Sequence, residues 1–141
     1  MNLSAVLEGL PVISGPDGGN IEITGVSYAS SSVEPGHLFV ALKGEKRDGI
    51  DFVPEAAVRG AAAVMTDRPR PEGLSLPWVR VFDARESLAL AAANFYDHPS
   101  HGLKVIGVTG TKGKTTTTFI LESILRADGR PSGVIGTILY R

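Results

Sequence analysis

The chain has 141 residues, 43% of them hydrophobic and 21% charged, which is enough for one ordinary core and too few for three full domains. Lys+Arg 14 against Asp+Glu 15 leave a net charge of -1, so there is no overall basic field of the kind that binding a nucleic-acid polymer requires. With Cys 0 the chain has no disulfide scaffold, thiolate zinc site or cysteine nucleophile, and the cytoplasm is the expected compartment.

The first ten residues lack a positively charged start and are broken by Glu8 and Gly9, unlike a secretory signal. No apolar run approaches the roughly 20 residues of a membrane helix, so no membrane partner is expected. Runs rich in strand formers at 21–28 and 37–42 predict two strands, separated by a turn carrying Pro35-Gly36. Helical spacing predicts a short helix over 52–59, with Pro54 in its first turn. Two short buried strands are expected at 61–65 and 78–82, and the polar, proline-rich run between them is expected to be a loop. Trp78 is expected to anchor the core or its rim.

Asp83 followed by Glu86 has the form of a capping box, and Leu88, Ala91, Ala92 and Phe95 repeat at i, i+3, i+4, i+7, predicting a helix over 84–96. These two carboxylates are therefore read as a cap and not as a catalytic pair. His98, Pro99 and Gly102 end that helix and mark a domain boundary near residue 100. The spacing of His98 and His101, with Asp97 as the nearby carboxylate, reads as a polar linker in preference to a metal site. Beyond it, the pattern predicts a strand at 103–108, a glycine-bearing loop at 110–113, a helix at 115–127 and a strand at 134–139. That is the opening of a parallel α/β domain. A lone unit of this kind leaves part of its sheet uncovered, so it is read as the beginning of a larger, truncated domain.

The string Gly110-Thr111-Lys112-Gly113-Lys114-Thr115-Thr116 lies between an expected strand and an expected helix, the setting in which a phosphate-loop match carries meaning. Gly110 and Gly113 allow a tight turn that aims backbone N–H groups at phosphate oxygens, and the helix start adds its positive end. Lys114 is placed to reach the β- and γ-phosphates, and the Thr115 hydroxyl to ligate Mg²⁺, with Thr116 behind it. The general pattern asks for a further glycine where Val108 stands.

The run from Val108 to Thr117 resembles the ATP loop of the Mur ligases, in which that first glycine is also usually missing. Val33-Glu34-Pro35-Gly36-His37-Leu38-Phe39-Val40-Ala41-Leu42-Lys43-Gly44 resembles the signature of their N-terminal UDP-binding domain, continued by Asp48-Gly49 and Phe52. Gly133-Val134-Ile135-Gly136-Thr137-Ile138 is similar to the strand after the loop in the MurE-type branch, which adds the third amino acid. The resemblance implies a mixed-sheet α/β UDP-binding domain over 1–100, followed over 101–141 by the first β-loop-α-β of a parallel-sheet ATPase domain. It implies an ATP- and Mg²⁺-dependent ligase that extends UDP-N-acetylmuramoyl-L-alanyl-D-glutamate by one diamino acid, through an acyl phosphate, during peptidoglycan synthesis.

In that frame Lys114 is the catalytic cation, stabilising charge as the phosphoryl group moves. Gly110, Thr111, Lys112, Gly113, Thr115 and Thr116 complete the ATP loop, with Thr115 as the metal ligand. Tyr28 and Ser30 match UDP-lining positions, and so do Glu45, Lys46 and Arg47, where a cation suits a diphosphate. Around Ser30 the family usually carries aspartate and arginine; here Ala29 and Ser31 stand in their places. The expected partners are the UDP-muramoyl-dipeptide and a diamino acid, the expected state is a monomer, and the 141 residues alone are expected not to turn over. Three other readings are a Mur ligase that adds the terminal dipeptide, a non-catalytic nucleotide-binding module, and a small phosphate-loop kinase.

Overall fold

The computed structural model describes residues 1–16, 20–44 and 47–136. The chain divides into two compact units, Met1–Gly102 and Leu103–Arg141.

The first unit is built on a five-stranded sheet. Its strands are β1 (Val12–Ser14), β2 (Gly25–Ser27), β3 (His37–Val40), β4 (Ala63–Thr66) and β5 (Trp78–Val81), in the spatial order β1-β5-β4-β3-β2. Strands β2 to β5 run parallel, and β1 closes the edge antiparallel to β5. Alternation along the central strands sorts side chains to opposite faces, as the two-residue period of a strand requires. Leu38, Val40, Ala63, Met65, Val79 and Val81 face helices α1 (Leu3–Val6) and α3 (Ala84–Phe95). Phe39, Ala41, Val64 and Trp78 face the other way, onto Val33 and onto Val53 and Ala56 of α2 (Val53–Val58). Burial on both faces explains why these strands read as continuous apolar runs.

Several expected boundaries shift. The strand expected at 21–28 is a ladder strand only over Gly25–Ser27. Its first half turns to the chain start, where the Ile23 amide donates to the Met1 carbonyl at 2.7 Å, the Leu3 amide donates to the Ile21 carbonyl at 2.8 Å, and Asn2 bridges Glu22. The expected helix at 52–59 is preceded by a 3₁₀ turn over Gly49–Phe52, because Asp48 caps it by accepting from the Ile50 amide at 3.2 Å. Neither α1 nor β1 was expected, since each is too short to show a period.

Helix α3 starts as its sequence says. The Asp83 carboxylate accepts from the amides of Arg85 and Glu86, both at 2.8 Å, meeting two donors that a helix start leaves without partners. Its end is set before Pro99: Asp97 takes a left-handed conformation at φ 57, and the His98 amide reaches the Ala93 carbonyl at 2.8 Å, a backbone-closed C-cap. Asp83→Ala is expected to lower stability by about 1 kcal/mol. A urea midpoint matching that of the unaltered chain would show that the cap contributes nothing in solution.

In the second unit, α4 (Lys114–Ala127) begins one residue earlier than the pattern indicates. It closes on Gly129 at φ 71, with the Gly129 amide bonded to Arg126 and the Arg130 amide to Leu125. The strand expected at 103–108 is not formed. Residues 104–110 run without regular structure, and Leu103, Val105 and Ile106 are exposed, because a strand exists only where a neighbour takes its N–H and C=O groups and no described ladder pairs with this run. Of the strand expected at 134–139, residues 134–136 form no ladder strand and the rest lies outside the described residues.

Candidate nucleotide-binding residues of each unit

Loops that follow the C-terminal ends of parallel strands are where ligands bind in open α/β sheets. In the first unit these loops carry Tyr28 and Ser30 after β2, the hairpin 43–48 after β3, Asp67 and Arg68 after β4, and Phe82 after β5. Tyr28 and Phe82 are 68% and 74% exposed, which leaves two aromatic rings at the outer parallel strands free to stack.

The hairpin is tied at its base. Lys43 bridges Asp48, the Gly49 amide donates to the Leu42 carbonyl at 2.9 Å, and the Gly44 amide donates to the Arg47 carbonyl at 3.0 Å. The second carboxylate oxygen of Asp48 pairs with Arg68 at 3.3 Å, linking the loops after β3 and β4. Arg47 is exposed, with its guanidinium carbon 6.0 Å from the centroid of the Phe52 ring. Glu45 and Lys46, expected beside it, lie outside the described residues.

Ser30 opens a 3₁₀ turn, Ser30–Ser32, and its hydroxyl donates to Glu55 Oε2 at 2.8 Å. The other oxygen of Glu55 pairs with Arg59 at 3.4 Å. Behind the loop, Ser27 Oγ lies 2.9 Å from His37 Nδ1 and donates to the Ser32 carbonyl at 3.1 Å, so β2, β3 and the turn share one polar anchor. Glu55, Ser27 and His37 were not singled out from the sequence as site residues. The 25-residue separation of Ser30 from Glu55 leaves no local signal for their contact.

In the second unit Gly113 is the N-cap of α4, at φ 78 and ψ -3, and Gly110 sits at φ 151. Both values suit glycine, since a Cβ disfavours positive φ. Gly113 has no side chain with which to cap the helix, so the leading amides of α4 face outward as donors. Lys114 Nζ folds back to the Gly110 carbonyl at 2.5 Å, which brings its ammonium over the loop. Thr111, Lys112, Thr115 and Thr116 are exposed around it. From 103 to 121 the sequence holds Lys104, Lys112 and Lys114 and no acidic residue. A positive helix end, an open glycine turn in which a Cβ on Gly113 would meet nothing within 4 Å, and an overhanging lysine fit a nucleotide phosphate chain. The exposed Thr115 hydroxyl is the kind of hard oxygen that Mg²⁺ takes as a ligand.

This combination defines the class: an α/β protein in which a mainly parallel sheet is followed in the chain by a glycine turn leading into a helix. Residues 22–96 match the family described as Mur ligase family, catalytic domain, and the chain belongs to the Mur ligase family. It is 43% identical to the UDP-N-acetylmuramoyl-L-alanyl-D-glutamate–2,6-diaminopimelate ligase of Solibacter usitatus, across 99% of this chain and 29% of that protein. It is 46% identical to the ligase of the same name from Geobacillus kaustophilus, across 98% and 28%. Among solved structures it is similar to MurF from Acinetobacter baumannii, with TM-score 0.61 and 34% identity over 74% of this chain and 22% of that one. It is also similar to MurF ligase from Thermotoga maritima in complex with ADP, with TM-score 0.58 and 32% identity over 76% and 24%. The chain thus spans less than a third of the relatives it matches. No described helix is long and apolar enough to cross a membrane.

Proposed function

We propose that these residues form the UDP-binding unit and the ATP loop of a ligase that adds 2,6-diaminopimelate to UDP-N-acetylmuramoyl-L-alanyl-D-glutamate. The observation that carries this reading is identity of 43% and 46%, over nearly the whole chain, to two ligases named for that reaction. The MurF structures are 32–34% identical and cover less of the chain, which favours addition of the diamino acid over addition of the terminal dipeptide.

In this reading the first unit holds the uridine end, with Tyr28 as a stacking surface, Ser30 as a polar contact, and Glu45, Lys46 and Arg47 as the residues that meet the diphosphate. The loop 110–116 holds ATP through its outward amides, and Lys114 neutralises the β- and γ-phosphate oxygens. Thr115 would hold Mg²⁺. When bound, ATP with its metal supplies the phosphoryl group that turns an unreactive carboxylate into an acylating agent. The chain's own part is to fix the phosphate chain and withdraw charge from it, using groups already oriented by α4.

The test uses the protein that carries these residues at its relatives' full length, incubated with UDP-N-acetylmuramoyl-L-alanyl-D-glutamate, ATP and Mg²⁺. A mass increase of one diaminopimelate, with ADP and phosphate released, is expected. Extension by D-alanyl-D-alanine in place of diaminopimelate would overturn the assignment, and so would no extension at all. The 141-residue chain is expected to bind UDP and ATP and to release no phosphate, since it spans 28–29% of those relatives. Ligation by the chain itself would show that these residues suffice for catalysis.

A further inference from the structure

We propose that Glu55 is a positioning residue that sets the polarity of Ser30. By accepting the hydrogen bond of the Ser30 hydroxyl it leaves Oγ facing the uridine end of the substrate as an acceptor, whose partner there is a hydrogen-bond donor and not a phosphate oxygen. The inference rests on the reading that the loop at 28–30 takes that end of the substrate.

An ionised carboxylate carries no proton, so in the 2.8 Å contact between Ser30 Oγ and Glu55 Oε2 the hydroxyl must be the donor. A serine hydroxyl has one proton, and once that proton is committed only lone pairs remain to meet a ligand. Phosphate oxygens at neutral pH accept and do not donate, so they are poor partners for such an oxygen. A uridine nucleotide has two kinds of donor, the imide N–H of the base and the ribose hydroxyls, and either satisfies it.

Glu55 is well placed to accept that hydrogen bond. It lies in the first turn of α2, where the helix end favours a negative charge, and its second oxygen is drawn to Arg59 at 3.4 Å, one helical turn on. Ala29 and Ser31, which flank Ser30, carry no charge, so the carboxylate that orients Ser30 comes from a different element, 25 residues away. Helix α2 is itself anchored by Val53 and Ala56, buried against the sheet, and this gives the carboxylate a fixed origin.

The experiment titrates UDP into the full chain and into S30A, E55A, E55Q and the S30A/E55A double variant, with melting temperatures measured alongside. Both S30A and E55A are expected to weaken binding about tenfold, the effect of one hydrogen bond. The double variant should bind no more weakly than S30A, because Glu55 acts through Ser30. E55Q should stay within about threefold of the unaltered chain, since its amide oxygen still accepts the proton. An E55A that binds as tightly as the unaltered chain while S30A is weakened would overturn the role of Glu55 and leave the uridine reading standing, and so would losses that simply add in the double variant. An S30A that binds UDP normally would instead overturn the uridine reading. Repeating the S30A comparison with CDP, 2′-deoxy-UDP and uridine locates the donor. A penalty that vanishes with CDP assigns it to the imide N–H, and one that vanishes with 2′-deoxy-UDP assigns it to the ribose. A penalty that vanishes with uridine, which lacks phosphates, would overturn the acceptor assignment.

Discussion

Lys114→Ala is expected to weaken MgATP binding by about a hundredfold while leaving UDP binding as it was. The lysine is the cation that the loop folds back over itself: its ammonium sits 2.5 Å from the Gly110 carbonyl, and the neighbouring backbone offers donors but no compensating charge. Two charge-assisted contacts to phosphate oxygens are each worth roughly 1.5 kcal/mol or more, and their loss multiplies to that factor. Helix α4 should survive, because its start is set by Gly113 and its end by Gly129. Calorimetric titration of MgATP, with helix content followed by circular dichroism, reads both effects. Arginine should restore little, since its planar fork does not reproduce a compact ammonium. A K114A variant that binds MgATP within about threefold of the unaltered chain would remove the lysine from the phosphate site.

Gly49→Ala should destabilise the first unit by about 3 kcal/mol and loosen UDP binding with it. Gly49 closes the base of the hairpin after β3, and a Cβ there would lie 2.5 Å from both the amide nitrogen and the carbonyl oxygen of Leu42, and 2.9 Å from the carbonyl carbon of Ala41. Those atoms are backbone, and they continue directly from β3, a central strand. The overlap cannot be relieved by turning a side chain; either the hairpin opens or the strand shifts, each at a cost typical of overpacking in a rigid site. Opening it would release the Gly49–Leu42 bond and carry away the Asp48 carboxylate, which caps the next turn and pairs with Arg68. Gly102→Ala is the matched control, since a Cβ there meets nothing within 4 Å. Urea denaturation of the two variants separates them, and a G49A midpoint equal to that of G102A would show that the hairpin base yields.

The glycine turn at 110–113 and the start of α4 were legible because everything they need is local. Two glycines three residues apart, a lysine and a threonine run specify their own backbone turn and helix start, and the structure has Gly113 in the left-handed conformation at the head of α4. The start of α3 was equally legible, since Asp83 caps amides only two and three residues away. The strand-forming, apolar runs at 37–42 and 61–65 announced strands, though not which residues they pair with.

What the sequence by itself determined about this protein is the set of elements whose hydrogen bonds close within a few residues: the cap of α3, the glycine turn before α4, the helices α2, α3 and α4, and the family resemblance that rides on contiguous strings. Only the tertiary structure decided the contacts that span long loops. The pairing of residues 21–23 with the chain start took half of an expected strand out of the sheet. The run at 103–108, apolar enough to be a strand, pairs with no strand among the described residues, because a ladder needs a second strand at the right register, which composition cannot supply. The Ser30–Glu55 and Asp48–Arg68 contacts, 25 and 20 residues apart, exist because parallel strands bring successive loops to one edge of the sheet. The residues that orient the candidate uridine site are therefore specified by strand order, a property of the whole sheet and of no single segment.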